Sequence, residues 1–385
     1  MILVYILYDS MHNTVFAGQV WNMLLKFLSQ KNYQNIILIS FEVRQLEHNY
    51  CHPNIQIIQI KRTRYLGRLS LILNFFKLLR YLPKTSYQIM ARGPFAGYLA
   101  IKIKQLCLIK PKKIIIQARG LAGVEYAYSH QPLKPIFFTK WLRYINKPCM
   151  VPARHSFNEV WEPVESCMVS PVESIRFIYK SMLVKSRKWQ LSKLEKTVYS
   201  YQEIIIECVS TALQDYLINN FRAYKNNLIV AQNDLPTKIK PGRLASWRKT
   251  LRLKFKINLA AQVYCYSGSA HAWQCPAVTI DFFKQKLLQD PQAFLLVLTN
   301  EPAVFRKLIE ASQICHQNYL VLSIPYQEIY QYLAMADYGL LFREAHILNW
   351  VARPTKALEY ASANLPIIHN QTIAWLANKK NPARI

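Results

Sequence analysis

Acidic side chains are scarce in this 385-residue chain, which has 21 Asp and Glu against 49 Lys and Arg and a formal net charge of +28. Such an excess of positive charge attracts phosphates, anionic lipid or nucleic acid, and charge alone does not choose among the three. Hydrophobic residues make up 52% of the chain, which excludes disorder throughout. The length is too great for one ordinary core and suits two domains.

Several motifs that would indicate other classes of protein are also missing. The eight cysteines form no C-x-x-C pair, which argues against zinc ribbons and thioredoxin-like chemistry. No apolar run reaches the roughly 18 residues of a membrane-spanning helix, and the start, MILVYILYDS, lacks the features of a signal peptide. Without a helix-turn-helix, finger or RNP motif, nucleic acid is not an expected partner. These absences together predict a cytoplasmic protein with reduced thiols.

Short apolar runs alternate with helix-period segments, a pattern typical of parallel, doubly wound sheets. In the first half the predicted strands are Ile2–Leu7, Asn35–Ser40, Ile55–Ile60, Tyr87–Met90, Lys113–Ala118, Glu203–Ser210 and Asn227–Asp234. In the second half they are Gln262–Ser267, Ala293–Thr299, Tyr319–Ile324, Tyr338–Phe342 and Leu365–Asn370. We therefore predict an α/β protein with two Rossmann-like, doubly wound domains that face a central cleft. The predicted domains are residues 1–235 and 258–385, with a basic linker, 236–257, between them.

The segment Arg353–Pro366, RPTKALEYASANLP, is the most specific signal in the chain. Pro354 suits the first turn of a helix, and Asn364 suits the left-handed residue that ends one. Lys356 and Glu359 are three residues apart and share a helix face. A helix N-terminus with a lysine can hold a diphosphate, and a carboxylate one turn on can accept both hydroxyls of a ribose. A surface ion pair between the two residues is the alternative interpretation.

This segment resembles the nucleotide-sugar-binding element of family-4-type glycosyltransferases, which have the two-domain GT-B fold. Tyr266–Gln274 is similar to the loop after the first strand of the donor domain in that family, and Ile324–Phe342 to the element before the donor site. In the first half, Gln117–Tyr126 resembles a turn of the acceptor domain, and Ser192–Leu217 resembles the helix–strand–helix before the hinge.

The resemblance implies a donor-binding role for residues of the second half. Glu359 would bind the donor ribose, and Lys356 would lie near the diphosphate or the sugar. Backbone N–H groups of the turn after the first donor-domain strand would wrap the phosphates, with glycine allowing close approach. An ordinary strand-to-helix turn is the alternative there. The donor-binding candidates are Ser267, Gly268, Ser269, Arg343, Asn349, Thr355, Lys356 and Glu359.

Catalytic candidates come from the acceptor side. His12 lies in the first βα loop, and Arg119 and Glu125 lie in the turn that resembles the acceptor domain. Arg92 and Arg119 both follow predicted strands and could face the cleft; a salt bridge beside a turn is the alternative.

No metal or other cofactor is expected. His48, Cys51 and His52 are close in sequence, but no fourth ligand lies near them. Folds that use a metal to stabilise a departing diphosphate usually show a D-x-D, which the chain lacks. Protein cations and helix dipoles would then stabilise the leaving charge.

Three features depart from the family pattern. The position eight residues before Glu359 is Val351 instead of a second glutamate, and Ser269 stands where the family has an arginine. The first loop, Asp9–Gly18, offers one glycine. Because few residues follow Asn370, the sequence predicts a donor domain that is incomplete at its end.

Two hypotheses about function remain. The first is a metal-independent transferase that moves a sugar from a nucleotide-sugar donor to a polysaccharide or lipid-linked acceptor, with retention implied by the resemblance. The second is an inactive, truncated protein of the same fold that binds anionic membrane or a polyanion. The segment Arg64–Leu82 has a long apolar face with Arg64, Arg68, Lys77 and Arg80 around it. It would suit a peripheral position on the inner face of a membrane, and a helix packed on the sheet is the alternative.

Overall fold

A computed structural model describes residues 1–12, 16–44, 47–64, 68–130, 171–232 and 238–377. The chain divides into two compact units, one formed by residues 1–120 with 196–385 and the other by residues 121–195. Both β-sheets belong to the first unit.

The first sheet contains seven parallel strands within the described residues, in the order β3-β2-β1-β4-β5-β6-β7. These strands are β1 (Ile2–Leu7), β2 (Asn35–Glu42), β3 (Ile55–Lys61), β4 (Tyr87–Arg92), β5 (Ile114–Ala118), β6 (Ile205–Cys208) and β7 (Leu228–Val230). Their helices are α1 (Asn22–Ser29), α2 (Arg68–Leu79), α3 (Gly93–Leu106), α4 (Ala122–Ser129), α5 (Pro171–Tyr199) and α6 (Thr211–Phe221). β1 is buried from Leu3 onwards, because helices cover both faces of such a sheet.

The second sheet contains five parallel strands within the described residues, in the order β10-β9-β8-β11-β12. They are β8 (Val263–Ser267), β9 (Phe294–Leu298), β10 (Tyr319–Leu322), β11 (Tyr338–Leu341) and β12 (Ile367–His369). The helices of this half are α7 (Pro241–Lys254), α8 (Pro276–Gln289), α9 (Pro302–Ala311), α10 (Ile329–Leu333), α11 (Ile347–Trp350), α12 (Thr355–Ser362) and α13 (Ala374–Ala377).

The predicted α/β class with two doubly wound, parallel sheets is confirmed. Each predicted strand is present, and most differ from the prediction by one or two residues at an end. The run Asn227–Asp234 is shorter than predicted, because only Leu228–Val230 pairs with β6, and Asp234 lies outside the described residues.

The order of strands reverses once in each sheet. β1 lies between β2 and β4, and β8 lies between β9 and β11. Where successive connections leave in opposite directions, a crevice opens outside the carboxyl ends of the two central strands, and ligands bind there in open α/β sheets. The loops after β1, β4, β8 and β11 are therefore the places to look for a site.

The predicted linker, residues 236–257, contains helix α7. Arg252 in this helix is fully buried and donates to the carbonyl oxygens of Met335 and Ala261, and its Nη2 lies 2.8 Å from Asp337 Oδ2. This network attaches α7 to the second sheet. The domain boundaries stay a prediction.

Hydrogen bonds also join the two sheet regions within the first unit. The Ser210 hydroxyl donates to the Val351 carbonyl oxygen at 2.6 Å, and Arg353 Nη1 donates to that of Ala231 at 2.8 Å. No helix in the described ranges is long and apolar enough to cross a membrane.

Candidate functional site

The candidate site lies where β8 and β11 end and α12 begins. Gly268 follows β8, Arg343 follows β11, and α12 opens with Thr355 and Lys356. β8 and β11 pair in parallel, so their carboxyl ends meet at one edge of the sheet. The fold thus brings together three segments that are far apart in the sequence, at the reversal point of the second sheet.

Lys356 points from the N-terminus of α12 onto the turn after β8. Its Nζ donates to Gln274 Oε1 and lies 5.3 Å from the centre of the Tyr266 ring. A side chain at Gly268 would collide with the Lys356 amine, so the missing Cβ is what allows this approach. Burial lowers the pKa of Lys356 well below its ordinary value, and the nearby Arg343 lowers it further.

Glu359 is a buried carboxyl group one turn along α12, with 6% of its surface exposed. Burial raises its pKa from 4.5 to about 7, and the charge of Lys356 opposes this shift. Glu359 is thus buried and Lys356 partly buried, which argues against the alternative of a surface ion pair. The charge of Glu359 also raises the pKa of the phenols of Tyr326 and Tyr330, second to burial in each case.

Arg343 is the second cation of the site and is also 6% exposed. Its backbone is fixed by Asn370, whose Oδ1 accepts from Arg343 N–H at 3.2 Å and whose Nδ2 donates to Arg343 O at 2.6 Å. Burial lowers the pKa of Arg343, while the neighbouring Tyr266 phenol opposes the shift. Arg343 and Lys356 together supply guanidinium and amine N–H donors, which suit an oxyanion.

The turn after β8 has hydrogen bonds of its own. The N–H group of Ser267 donates to the Tyr360 hydroxyl at 2.9 Å, and that of Gly268 donates to the Leu298 carbonyl oxygen at 2.8 Å. Both N–H groups are therefore already hydrogen-bonded within the protein, to Tyr360 and to the last residue of β9. Ser269 binds Gln274 Nε2 through its hydroxyl. Phosphate binding by this turn stays a prediction.

The other donor-side candidates have contacts of their own. Asn349 is buried, and its Nδ2 donates to the Glu344 carbonyl oxygen at 2.8 Å, so it shapes the loop after β11. Thr355 Oγ1 accepts from Gln19 Nε2, which belongs to the first sheet region. Thr355 thus contacts the acceptor side through Gln19.

The three catalytic candidates lie on separate elements of the chain. His12 is exposed in the loop after β1, and its N–H donates to Ser10 Oγ at 3.1 Å. Arg119 directly follows β5 in the first unit. Glu125 is exposed on α4, which belongs to the unit of residues 121–195.

The described residues contain no group of three His, Cys, Asp or Glu side chains that could hold a metal ion. His48, Cys51 and His52 lie within the described range, and the His52 ring accepts from the N–H of Asn54 at 3.1 Å.

Sequence reasoning missed several residues that support the site. Tyr360 joins α12 to the sheet through Ser267 and lies against Gly339, where a Cβ would collide with its ring. Gln274 binds Lys356, and Asn370 fixes Arg343. Gly339 inside a strand was the one available signal, because a strand glycine often marks a close approach.

Two parallel, Rossmann-like sheets with their helices match the GT-B fold. The fold implied by the family resemblance is confirmed.

Solved structures of glycosyltransferases share this fold. WaaG, a glycosyltransferase involved in lipopolysaccharide biosynthesis, is 11% identical with a TM-score of 0.57, over 98% of this chain and 84% of that one. HepE of Anabaena, solved with UDP and glucose, is 11% identical with a TM-score of 0.57, over 98% and 83%. A UDP-forming trehalose-phosphate synthase from Burkholderia vietnamiensis is 10% identical with a TM-score of 0.56, over 100% and 88%. No protein-family model and no curated protein sequence matches the chain.

Proposed function

We propose that the protein is a glycosyltransferase that moves a sugar from a nucleotide-sugar donor to a glycan or lipid-linked acceptor. The observation that carries the proposal is the group formed by the buried Arg343 and Glu359 and the partly buried Lys356 at the switch point of the second sheet. The solved neighbours support the same class of reaction, since they are glycosyltransferases and one contains UDP and glucose.

The residues would act on the donor as follows. The ionised Glu359 accepts hydrogen bonds from the ribose hydroxyls. Lys356 and Arg343 face the diphosphate. As the bond between the anomeric carbon and the diphosphate oxygen breaks, negative charge grows on that oxygen, and preorganised cations in a buried site stabilise it strongly. The acceptor hydroxyl then bonds to the anomeric carbon and passes its proton to the departing diphosphate oxygen. We propose that these cations serve without a metal ion and that the anomeric configuration is retained, as the resemblance implies.

Calorimetric titration with a panel of nucleoside diphosphates tests the donor site. We expect one nucleotide to bind with micromolar affinity and Glu359→Ala to weaken that binding at least tenfold, because the ribose hydroxyls lose their acceptor. Glu310→Ala, the same change at an exposed position of α9, is the matched control and should bind as the parent does. Absence of binding by every nucleotide, with protein shown to be folded by circular dichroism, would reject the proposal.

We also propose that the protein binds the surface of an anionic membrane through helix α2. Phe75 and Leu78 of this helix are buried against the fold. Its opposite side carries four apolar side chains that are 38% to 60% exposed, at the i, i+3, i+4 and i+7 spacing of one helix face: Leu69, Ile72, Leu73 and Phe76. The helix thus packs on the fold with one face and leaves an apolar face exposed.

Exposed basic residues flank this apolar face. Arg64, Arg80 and Lys84 are exposed, whereas Lys77 Nζ donates to the Lys61 carbonyl oxygen at 2.8 Å. An apolar face that enters the headgroup region and a basic rim that contacts anionic lipid suit peripheral binding. Such binding would hold the protein next to a lipid-linked acceptor.

A further inference from the structure

Two arginines end neighbouring strands of the first sheet. Arg92 is the last residue of β4, and Arg119 follows the last residue of β5. The strands are parallel, and Arg92 pairs in register with Gln117, so Arg119 lies just beyond it at the same carboxyl edge. β4 is one of the two strands at the reversal point of this sheet. Both cations therefore lie where such a sheet binds ligands.

A hydrogen bond holds the guanidinium of Arg92 in place, while one of its nitrogens has no acceptor among the described residues. Nη2 donates to Gln19 Oε1, and the group lies beside the Tyr5 hydroxyl, which itself donates to Gln117 Oε1 at 2.7 Å. Nη1 is buried and finds no hydrogen-bond acceptor in the described part of the chain. A buried charged donor without an acceptor is costly, and an oxyanion is the partner that a guanidinium binds most strongly.

The local charge also favours an anion. Burial lowers the pKa of Arg92, and the charge of Arg119 lowers it further, so the two cations are near enough to repel each other. The acidic groups nearby are Glu207, which accepts from Gln117 Nε2 at 2.7 Å, and the exposed Asp9, whose effect on Arg92 is the weakest of those that act on it. A bound oxyanion would relieve the repulsion between the arginines.

This arginine pair is connected to the donor site. Gln19 accepts from Arg92 and donates to Thr355 Oγ1, and Thr355 precedes Lys356 at the start of α12. Two hydrogen bonds therefore separate Arg92 from the helix that carries the donor candidates. Gly93, next to Arg92, has a φ of +76°. Apart from its chain neighbours and the backbone of its own helix, no atom of the described residues lies within 4 Å of the place a Cβ would occupy, which leaves room for a ligand.

We propose that the acceptor of this enzyme is anionic, and that Arg92 and Arg119 bind its phosphate or carboxylate group beside the donor site. The inference rests on the proposed glycosyltransferase function and adds a substrate class to it.

The test is a calorimetric titration of the full chain, saturated with the nucleoside diphosphate that binds it. The probes are mannose 6-phosphate, glucuronate, and their uncharged counterparts mannose and glucose. We expect at least one anionic sugar to bind tenfold more tightly than its neutral counterpart. The phosphate and carboxylate probes then show which anion the site prefers.

Charge-removing variants locate the site. Arg92→Gln and Arg119→Gln should each weaken binding of the anionic sugar at least tenfold, and Arg92→Lys should restore part of the loss because it keeps the charge. Lys102→Gln in α3 removes one charge about 15 Å further along the helix that follows Arg92, and should change nothing. Unchanged nucleotide affinity in each variant confirms that it is folded.

The outcomes separate the two proposals. If the nucleotide binds but anionic and neutral sugars bind equally, or no anionic sugar binds, the anionic acceptor is refuted and the transferase stands. Undiminished binding of the anionic sugar by both Arg→Gln variants refutes the site as well. If no nucleotide binds, the transferase proposal itself fails.

Discussion

The position of Lys356 depends on Gly268, both on its backbone conformation and on its lack of a side chain. Its φ is +150°, and a Cβ would overlap the Lys356 amine and the Gln274 side chain. At the scale of single residues, the absence of one methyl group thus allows the amine of the partly buried Lys356 to lie at the end of β8.

Substitution Gly268→Ala is therefore expected to push Lys356 away from the turn and to lower the affinity for the nucleotide at least tenfold, measured by calorimetry. Gly242→Ala is the matched control, since nothing lies within 4 Å of its missing Cβ and alanine suits the helix α7. Equal affinities of the two variants would show that Lys356 does not contact the diphosphate.

The carboxyl group of Glu359 should make stability depend on pH. Its folded-state pKa is raised by burial to about 7 from an ordinary 4.5, so folding favours the protonated form. The stability that this group contributes is full below pH 4.5 and is lost as the pH rises through 7. Over that range the loss approaches roughly 3 kcal/mol, at 1.36 kcal/mol per pKa unit.

Urea unfolding of the parent and of Glu359→Gln at several pH values between 4.5 and 8 measures this effect. The advantage of the parent over the variant should shrink as the pH rises, because the amide does not titrate. A constant difference would mean that Glu359 is ionised throughout. The comparison with the variant removes the contribution of Glu195, whose pKa burial also raises to about 7.

At the scale of elements, helix α12 shows how closely local sequence patterns predict the two ends of a helix. Asn364 ends the helix region with a φ of +57°, as predicted, because asparagine tolerates the left-handed conformation. Pro354 is the residue before the first helical turn and lies in an extended conformation, one position earlier than predicted. Helix α5 begins at Pro171, because proline suits the first turn of a helix.

The exposed apolar face of helix α2 predicts binding to anionic vesicles. We expect the protein to sediment with vesicles that contain anionic phosphatidylglycerol and not with neutral phosphatidylcholine vesicles, and salt should weaken the binding. The double variant Leu73→Ser, Phe76→Ser should reduce the bound fraction at least fivefold, since it removes two exposed apolar contacts.

The control for this experiment is Leu253→Ser, Leu288→Ser, two exposed leucines on α7 and α8. An equal loss in both double variants would indicate general surface hydrophobicity and no membrane face on α2. Binding that depends on charge but not on Leu73 and Phe76 would point to the net charge of +28 alone.

At the scale of the whole molecule, hydrogen bonds between the two sheet regions bring the candidate acceptor and donor residues together. Gln19 contacts both Arg92 and Thr355, and Arg353 contacts Ala231. Gln19 and Thr355, and likewise Arg353 and Ala231, are over a hundred positions apart in the sequence. Gln19 and Arg92 are closer to each other. No local pattern could have predicted them, because contact between distant segments is decided by packing.

The sequence by itself determined the strands, the α/β class and the Lys356–Glu359 pair, because hydrophobic period and helix spacing act within a few residues. Only the tertiary structure decided what surrounds that pair. It brought Gln274 into hydrogen-bonding contact with Lys356, 82 positions away, and paired the Ser267 N–H group with the Tyr360 hydroxyl. It also buried Glu359 deeply enough to raise the pKa of its carboxyl group. It also set Arg92 beside Gln19 at the switch point of the first sheet. Strand order and burial arise from long-range packing, whose many alternatives a local pattern does not distinguish.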